Sequence, residues 1–380
     1  MFEETHLHPA EGMRARLVRW ARRYVNAHCI NIVTYHGIAP NDDPFTVGLP
    51  LRHTPSELAA HMAFLRRHYR PVGLVELIEA VEDGRTLDRA VLVTFDDGLR
   101  SVKEHAWPVL RRFEVPIAIF ATTSVIGNAD LLWRHKLTWL LTHGRAREVF
   151  AALRTEYLRR NLDADGTVFP RHVDATPDLY ELTRRHFRPD VVPAVLDEVL
   201  ARHGWSGPAL ANKFRPYLDP DDLRDADPRW VTFGNHTHTH PLLSALTPAE
   251  QRRELGLARE LLTRWTGRAP AAVAYPFGLR DSYDAHSVEA ARQTGHRAAM
   301  DMRRRLNVAP LSPWDLSRKP APHRDPSAFE LLIDNLPAHA IRGAARPVER
   351  LQLHRRMFRG APAPLRWVTR GAPDAEGATP

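Results

Sequence analysis

The sequence predicts an α/β fold built on parallel strands, and three observations lead there. Short β-branched or apolar runs alternate with amphipathic helical segments from residue 29 to residue 121. One of those runs, Val91-Leu92-Val93-Thr94-Phe95, stops abruptly at Asp96-Asp97-Gly98. The pattern then resumes at Trp230-Val231-Thr232-Phe233-Gly234, which leads straight into Asn235-His236-Thr237-His238-Thr239-His240-Pro241. Two neighbouring aspartates cannot both be buried without a counter-charge, so they belong at the mouth of a sheet or barrel, where a metal ion would supply that charge.

Taken in order, residues 29–35 read as the first strand. Thr54-Pro55-Ser56-Glu57 then starts a helix running to about Tyr69, with an N-cap, a proline at the first position and a glutamate at the third. A short helix over 75–81 leads through Gly84 to the strand that delivers Asp96 and Asp97, where Gly98 permits a sharp turn without a Cβ penalty. A helix over 101–113 and a buried strand over 116–121 follow. From about 129 to 227 the pattern is helical, with runs over 131–141, 146–158, 177–186 and 190–203; we read it as an insertion over one edge of the sheet. Its Trp133, His135, Trp139 and Trp205 are candidates to line a substrate groove, although aromatic residues on amphipathic helices more often form core. After the histidine-rich loop, Thr247-Pro248-Ala249-Glu250 caps a long helix ending near Gly267. A strand over 271–275, a helix over 287–294 closed by Gly295, a strand over 297–300 and a helix over 326–336 complete the pattern.

His236 and His240 stand four residues apart, so one helical turn, or a tight loop of similar pitch, brings both imidazoles to one side, while His238 points elsewhere. Two neutral imidazoles and one aspartate form a 2-His-1-carboxylate set that leaves coordination positions open for water and a substrate oxygen. Such a set is catalytic in type.

Together, Thr94-Phe95-Asp96-Asp97-Gly98 and His236-Thr237-x-x-His240-Pro241 resemble the paired motifs of the polysaccharide deacetylase family, the nodulation-protein-B homology domain of carbohydrate esterase family 4. Ala274-Tyr275-Pro276-Phe277-Gly278 resembles the family's next motif, and Thr34-Tyr35-His36-Gly37-Ile38 the opening strand of its circularly permuted branch. The resemblance covers about residues 30–125 and 229–335. It implies a distorted (β/α) barrel over 29–345 with the helical insertion at about 129–227, preceded by a basic extension over 1–28 and followed by a basic tail over 346–380 that we expect to be disordered.

Residue by residue, the resemblance implies that Asp96 is the general base and that Asp97, His236 and His240 hold one divalent metal ion. We take the ion as zinc, with cobalt, nickel and manganese as alternatives. It makes His36 the general acid, as in the permuted branch; His354, near the C-terminal end, is the alternative. The backbone N–H of Phe277 corresponds to the family's donor to the acyl oxygen. Where many relatives carry an arginine that orients the base, this chain has Ala274, and Arg318 is the candidate replacement.

With 380 residues, 43% hydrophobic and 26% charged, the chain is long enough to bury a large core. The net charge of +8 comes from arginines spread along the chain, since Lys103, Lys136, Lys213 and Lys319 are the only lysines. No nucleic-acid module accompanies that charge, so nucleic acid is not an expected partner. Cys29 is the single cysteine, which excludes an intrachain disulfide and a thiolate metal cluster. The segment 13–25 is interrupted by arginines and has no apolar h-region. It reads as a basic amphipathic helix that packs on the domain or touches an anionic membrane surface, and Met13 is an alternative start. The expected function is removal of an N-acyl group, acetyl first, from an amino sugar. The expected site of action is the cytoplasm, on a lipid- or nucleotide-linked precursor of an exopolysaccharide. A deformylase on a lipid-linked amino sugar and a catalytically silent glycan-binding relative are the alternatives.

Overall fold

The computed structural model describes residues 26–49, 51–160, 176–185, 188–323 and 326–336. The amphipathic segment 13–25, His354 and the basic tail lie outside the described residues. Strands run in chain order as β1 (Cys29–Tyr35), β2 (Gly37–Ile38), β3 (Arg52–His53), β4 (Arg70–Pro71), β5 (Ala90–Asp97), β6 (Ile117–Ala121), β7 (Val231–Asn235), β8 (Ala272–Ala274), β9 (Ala298–Asp301), β10 (Asn307–Val308), β11 (Leu316–Ser317) and β12 (Lys319–Pro320). Strands β1, β5, β6, β7, β8, β9 and β11 lie side by side, every neighbouring pair parallel.

The sheet closes at Arg318. Strand β11 pairs with β9 through Leu316↔Met300 and Ser317↔Asp301, and one residue later β12 pairs with β1 through Val33↔Lys319 and Thr34↔Pro320. The Arg318 N–H donates to the Asp301 carbonyl at 2.8 Å, and the Ala321 N–H to the Thr34 carbonyl at 2.9 Å. One short extended segment therefore bridges both edges and leaves a distorted (β/α) barrel.

Inside, period-two alternation fills the barrel with Ile30 and Ile32 from β1, Leu92 from β5, Ala118 and Phe120 from β6, Ala272 and Ala274 from β8, Met300 from β9 and Leu316 from β11. Leu74, Leu77 and Ile78 of the helix Leu74–Glu82 join this cluster and plug the end where the strands begin. The small residues are required by the narrow bore. A Cβ on Gly234 would sit 2.4 Å from the Phe120 ring, which lies across that position.

The helices largely follow the expected pattern. Thr54 and Thr247 each close a capping box, and Gly267 ends the Pro248–Thr266 helix in the left-handed conformation. The expected helix over 101–113 instead begins as a π-turn at Val102–Ala106 and continues as Trp107–Arg112. Pro108 has no N–H to give the regular ladder, and the Trp107 N–H reaches back five residues to the Val102 carbonyl. Between β6 and β7 lie Trp133–Thr142, Ala146–Arg159, Thr176–Arg185 and Val191–Arg202, and also Gly207–Phe214 and Pro220–Arg224. The last two begin at Gly-Pro and Asp-Pro sequences that read as breakers, yet proline suits a first turn, and Ser206 caps the former by accepting from the Ala209 N–H. Trp139 and Trp205 pack edge to face within this layer and are core residues. Among the described residues, no helix is long and apolar enough to cross a membrane.

A group of imidazoles packs between the first helix and the closing segment. His61 stacks on Phe329 at 3.8 Å and shares a hydrogen bond with the Tyr35 hydroxyl at 3.0 Å, while His53 stacks on His323 at 3.9 Å. Burial pushes His53 down to about 3 and His61 to about 4. Both are neutral in the folded chain at pH values where the unfolded chain protonates them, so their contribution to stability is full above about pH 6.5 and falls as the pH drops toward 4. Urea titrations between pH 7 and pH 4.5 should give a slope that lessens by up to about 1.4 kcal/mol per pH unit in His61→Gln; an unchanged slope would show that His61 does not contribute.

Candidate active site

The alternation that fills the barrel also composes its rim. Counting by twos along each strand, Ile30-Ile32-Thr34 continues to His36, Leu92-Thr94 to Asp96, Thr232-Gly234 to His236, and Leu316 to Arg318. His36, Asp96, His236 and Arg318 all line one cavity of about 350 Å³, together with Asp97, His240 and Phe277.

Asp97 falls on the opposite phase and would face outward in a continuing strand. It reaches the cavity because its backbone turns left-handed, with φ +71° and Gly98 following at +76°. Thr237, His240 and Phe277 also have positive φ, at +68°, +60° and +62°. Four non-glycine residues in this conformation at one rim mark a site held by its surroundings rather than by local preference.

The histidine loop is a non-helical turn, so the i, i+4 spacing brings the two imidazoles together through a loop. Asn235 Oδ1 accepts from the Thr237 N–H at 2.7 Å, and Thr237 Oγ1 accepts from the His240 N–H at 3.0 Å. Glu254, on the Pro248–Thr266 helix, takes the His238 and Thr239 N–H groups at 2.9 and 2.8 Å. His238 pairs with Thr123 Oγ1 at 2.9 Å, away from the cavity lining. The His236 and His240 rings meet edge to face with centroids 4.9 Å apart.

Asp97, His236 and His240 each offer a ligand atom, all within 4.8 Å of one another. Asp97 Oδ1 lies 3.7 Å from His236 Nε2 and 3.6 Å from His240 Nε2. Two ligand atoms about 2.1 Å from one tetrahedral ion stand about 3.4 Å apart, close to what is seen. Asp97 Oδ1 is buried with no hydrogen-bond partner, which is costly for a carboxylate unless a cation meets it. His236 Nδ1 donates to the Ala274 carbonyl at 2.7 Å, turning the Nε2 lone pair toward Asp97. The residues therefore fit a divalent ion.

Asp96 is gripped by Arg318, whose Nη1 donates to Oδ1 at 2.6 Å and Nη2 to Oδ2 at 2.9 Å. Arg318 is 0% exposed, and its guanidinium carbon stands 5.3 Å from the Phe120 ring centroid. Burial alone would raise the Asp96 pKa, but the Arg318 charge and hydrogen bonds outweigh it and hold the carboxyl below its ordinary value. Asp97 is likewise held low, against burial, by the surrounding imidazoles. Burial lowers His36, and the nearby Asp97 and Asp96 charges act in the opposite sense.

Phe277 packs its ring 5.1 Å from that of His240 and 6.3 Å from that of Trp133. Trp133 Nε1 donates to the His240 carbonyl at 3.4 Å, and His135 lines the cavity while sharing a 2.6 Å hydrogen bond with the Tyr217 hydroxyl. The helical layer also supplies Arg134, Tyr180 and Arg184, and the segment after β9 supplies Arg304; sequence reasoning singled out none of them. The position of Arg134 between Trp133 and His135, both groove candidates, was the available signal.

The family model for polysaccharide deacetylases matches residues 83–299, more than half of the chain. YxkH of Bacillus subtilis (strain 168), which carries the same family description, is 29% identical over 115 residues, a match spanning 30% of this chain and 39% of that protein. Among solved structures, the Streptococcus pyogenes deacetylase PplD in complex with acetate superposes with a TM-score of 0.52 at 14% identity, covering 80% of this chain and 98% of that one. IcaB from Ammonifex degensii gives 0.51 at 16% identity, covering 81% and 97%. These two likenesses are of fold. With the family match lying across the strands that deliver the carboxylates and the histidines, the chain belongs to the polysaccharide deacetylase family.

Proposed function

We propose that this protein hydrolyses the N-acyl amide, most simply N-acetyl, of an amino sugar in a polysaccharide or in its lipid- or nucleotide-linked precursor. The single observation that carries the reading is the buried, unpartnered Asp97 Oδ1 facing two imidazole nitrogens beside an arginine-clamped second aspartate. Asp97, His236 and His240 would hold one divalent ion, zinc first. Bound there, the ion acidifies a water and polarises the acyl oxygen.

Asp96 is the base. Its Oδ2 lies 3.9 Å from His236 Nε2, so it borders the ligand set and can take the proton of the attacking water. Arg318 fixes the carboxylate plane and keeps it ionised at neutral pH. The Phe277 N–H, with no acceptor among the described residues, is the donor for the oxygen of the tetrahedral intermediate. As that intermediate collapses, the C–N bond breaks and His36 gives the departing nitrogen a proton, leaving a carboxylic acid and the free amine; exchange with solvent then removes the proton from Asp96 and restores the one on His36. With its acid directly after β1, ahead of the two aspartates, the chain fits the permuted branch of the family. The catalytic unit in this reading is residues 29–345, interrupted by an insertion at about 129–227, and it works in the cytoplasm on exopolysaccharide precursors.

The first measurement is metal content of the purified protein together with acetate release from N-acetylated amino sugars. Stoichiometric metal and acetate release, both lost in Asp97→Ala, support the reading; a wild type that binds no metal overturns it. Two further variants separate base from acid. Asp96→Asn should keep the metal and lose turnover by about 10²–10⁴-fold, and His36→Ala should slow leaving-group departure by a similar factor. A crippling loss in His354→Ala, with His36→Ala active, would transfer the acid role.

A further inference from the structure

The charges around the cavity do not balance. Asp96 is matched by Arg318, and Arg184 meets two carboxylates, its Nη2 and Nε donating to Glu181 at 2.8 and 3.0 Å and its Nη2 also to Asp281 at 3.0 Å. Asp97 is the carboxylate left for a metal ion. Two arginines in the lining then form no ion pair among the described residues: Arg134, at the start of the Trp133–Thr142 helix, which feels the Asp97 and Glu181 charges without bonding to either, and Arg304, exposed in the loop after β9.

Arg134 is the more telling. It is half-buried, its guanidinium carbon lies 5.5 Å from the ring centroids of both Tyr180 and Phe277, and its Nε is buried without an acceptor. Among the described residues, none accepts a hydrogen bond from it or forms an ion pair with it. A guanidinium held beside two rings with its Nε shut off from water and unpartnered presents a donor that a bound anion would satisfy. Arg184 stands beside it, 6% exposed, 5.8 Å from the same Phe277 ring, and with a buried, unpartnered Nη1. Phe277 touches His240, so these cations border the place where the acyl group would be cut.

Building on the deacetylase reading, we propose that Arg134, supported by Arg184 and Arg304, forms a subsite for a phosphate group carried by the acylamino sugar. A phosphate ester offers at least two charged oxygens to donors on more than one arginine, whereas a single sugar carboxylate is satisfied by one guanidinium fork. The phosphate would belong to a sugar attached through phosphate to a nucleoside or to a lipid. The reaction is unchanged: the phosphate is bound, not transferred.

The test compares N-acetylglucosamine, N-acetylglucosamine 1-phosphate and its uridine diphosphate ester as substrates, with a diphosphate-linked N-acetylglucosamine lipid presented in neutral vesicles. Wild-type kcat/KM should be at least tenfold higher for the phosphorylated forms. In Arg134→Gln that preference should fall at least tenfold, mainly through KM, and Arg304→Gln should move it in the same direction by less. The better of the nucleoside and lipid forms identifies the carrier. Binding of N-acetylglucosamine 1-phosphate, read by calorimetry on metal-loaded wild type and Arg134→Gln, is independent of turnover. A phosphate held only by the metal would bind both proteins equally and overturn the subsite. Weaker binding in the variant with no acetate released from any sugar would retain the subsite and sink the deacetylase reading instead. Should Arg134→Gln fail to fold, by circular dichroism and metal content, Arg134→Lys takes its place and should show a partial loss; an unchanged preference there and in Arg304→Gln would refute the proposal.

Discussion

The bidentate pair between Arg318 and Asp96 joins the two ends of the barrel. Asp96 is the penultimate residue of β5, the neighbour of β1, and Arg318 is the residue at which the last strand leaves β9 for β1. A buried ion pair of this kind is seldom a net source of stability, because desolvating two charges cancels much of their attraction. Its consequence here is positional. Removing either partner would strand a charge in the barrel, so the closing strand, the register of β12 on β1 and the orientation of the aspartate are tied together. The Arg318 ring contact with Phe120, and the space at Gly234 that admits that ring, extend the constraint across two further strands.

That placement also accounts for the departure at Ala274. Its side chain faces a narrow bore, and its backbone carbonyl still takes the His236 Nδ1 proton. Orientation of the histidine is thereby kept on β8, whereas orientation of the aspartate comes from the opposite edge. The same spatial role can be met from a different strand because a closed sheet brings all strand ends to one rim.

How much of this was legible in the sequence depends on the range of the signal. The strand over 29–35, the capping boxes at Thr54 and Thr247, and the pairing of an acidic strand end with a histidine loop rest on local patterns, and they were readable. The closing segment was not: β11 and β12 are two residues each, too short for alternation to register, and their pairing depends on partners nearly 300 residues away. The left-handed turn at Asp97 was hidden too, since Gly98 alone seemed sufficient to turn the chain. Arg134, Arg184 and Arg304 were lost among the many arginines, because an unpaired charge becomes visible only when the positions of the acids are known.

The helical layer is held tightly enough to give those arginines fixed positions. Lys136, buried two residues beyond Arg134, donates to Asp130 at 2.7 Å and to Asp197 at 3.0 Å, tying the Trp133–Thr142 helix to the segment before it and to the Val191–Arg202 helix. Gly207 leaves room for that lysine and aspartate, since a Cβ there would lie 2.0 Å from Asp130 Oδ1. The rim of the barrel is set by strand ends that converge on one cavity. The helices packed over it add side chains of their own to the same cavity, Arg134, Tyr180 and Arg184 among them.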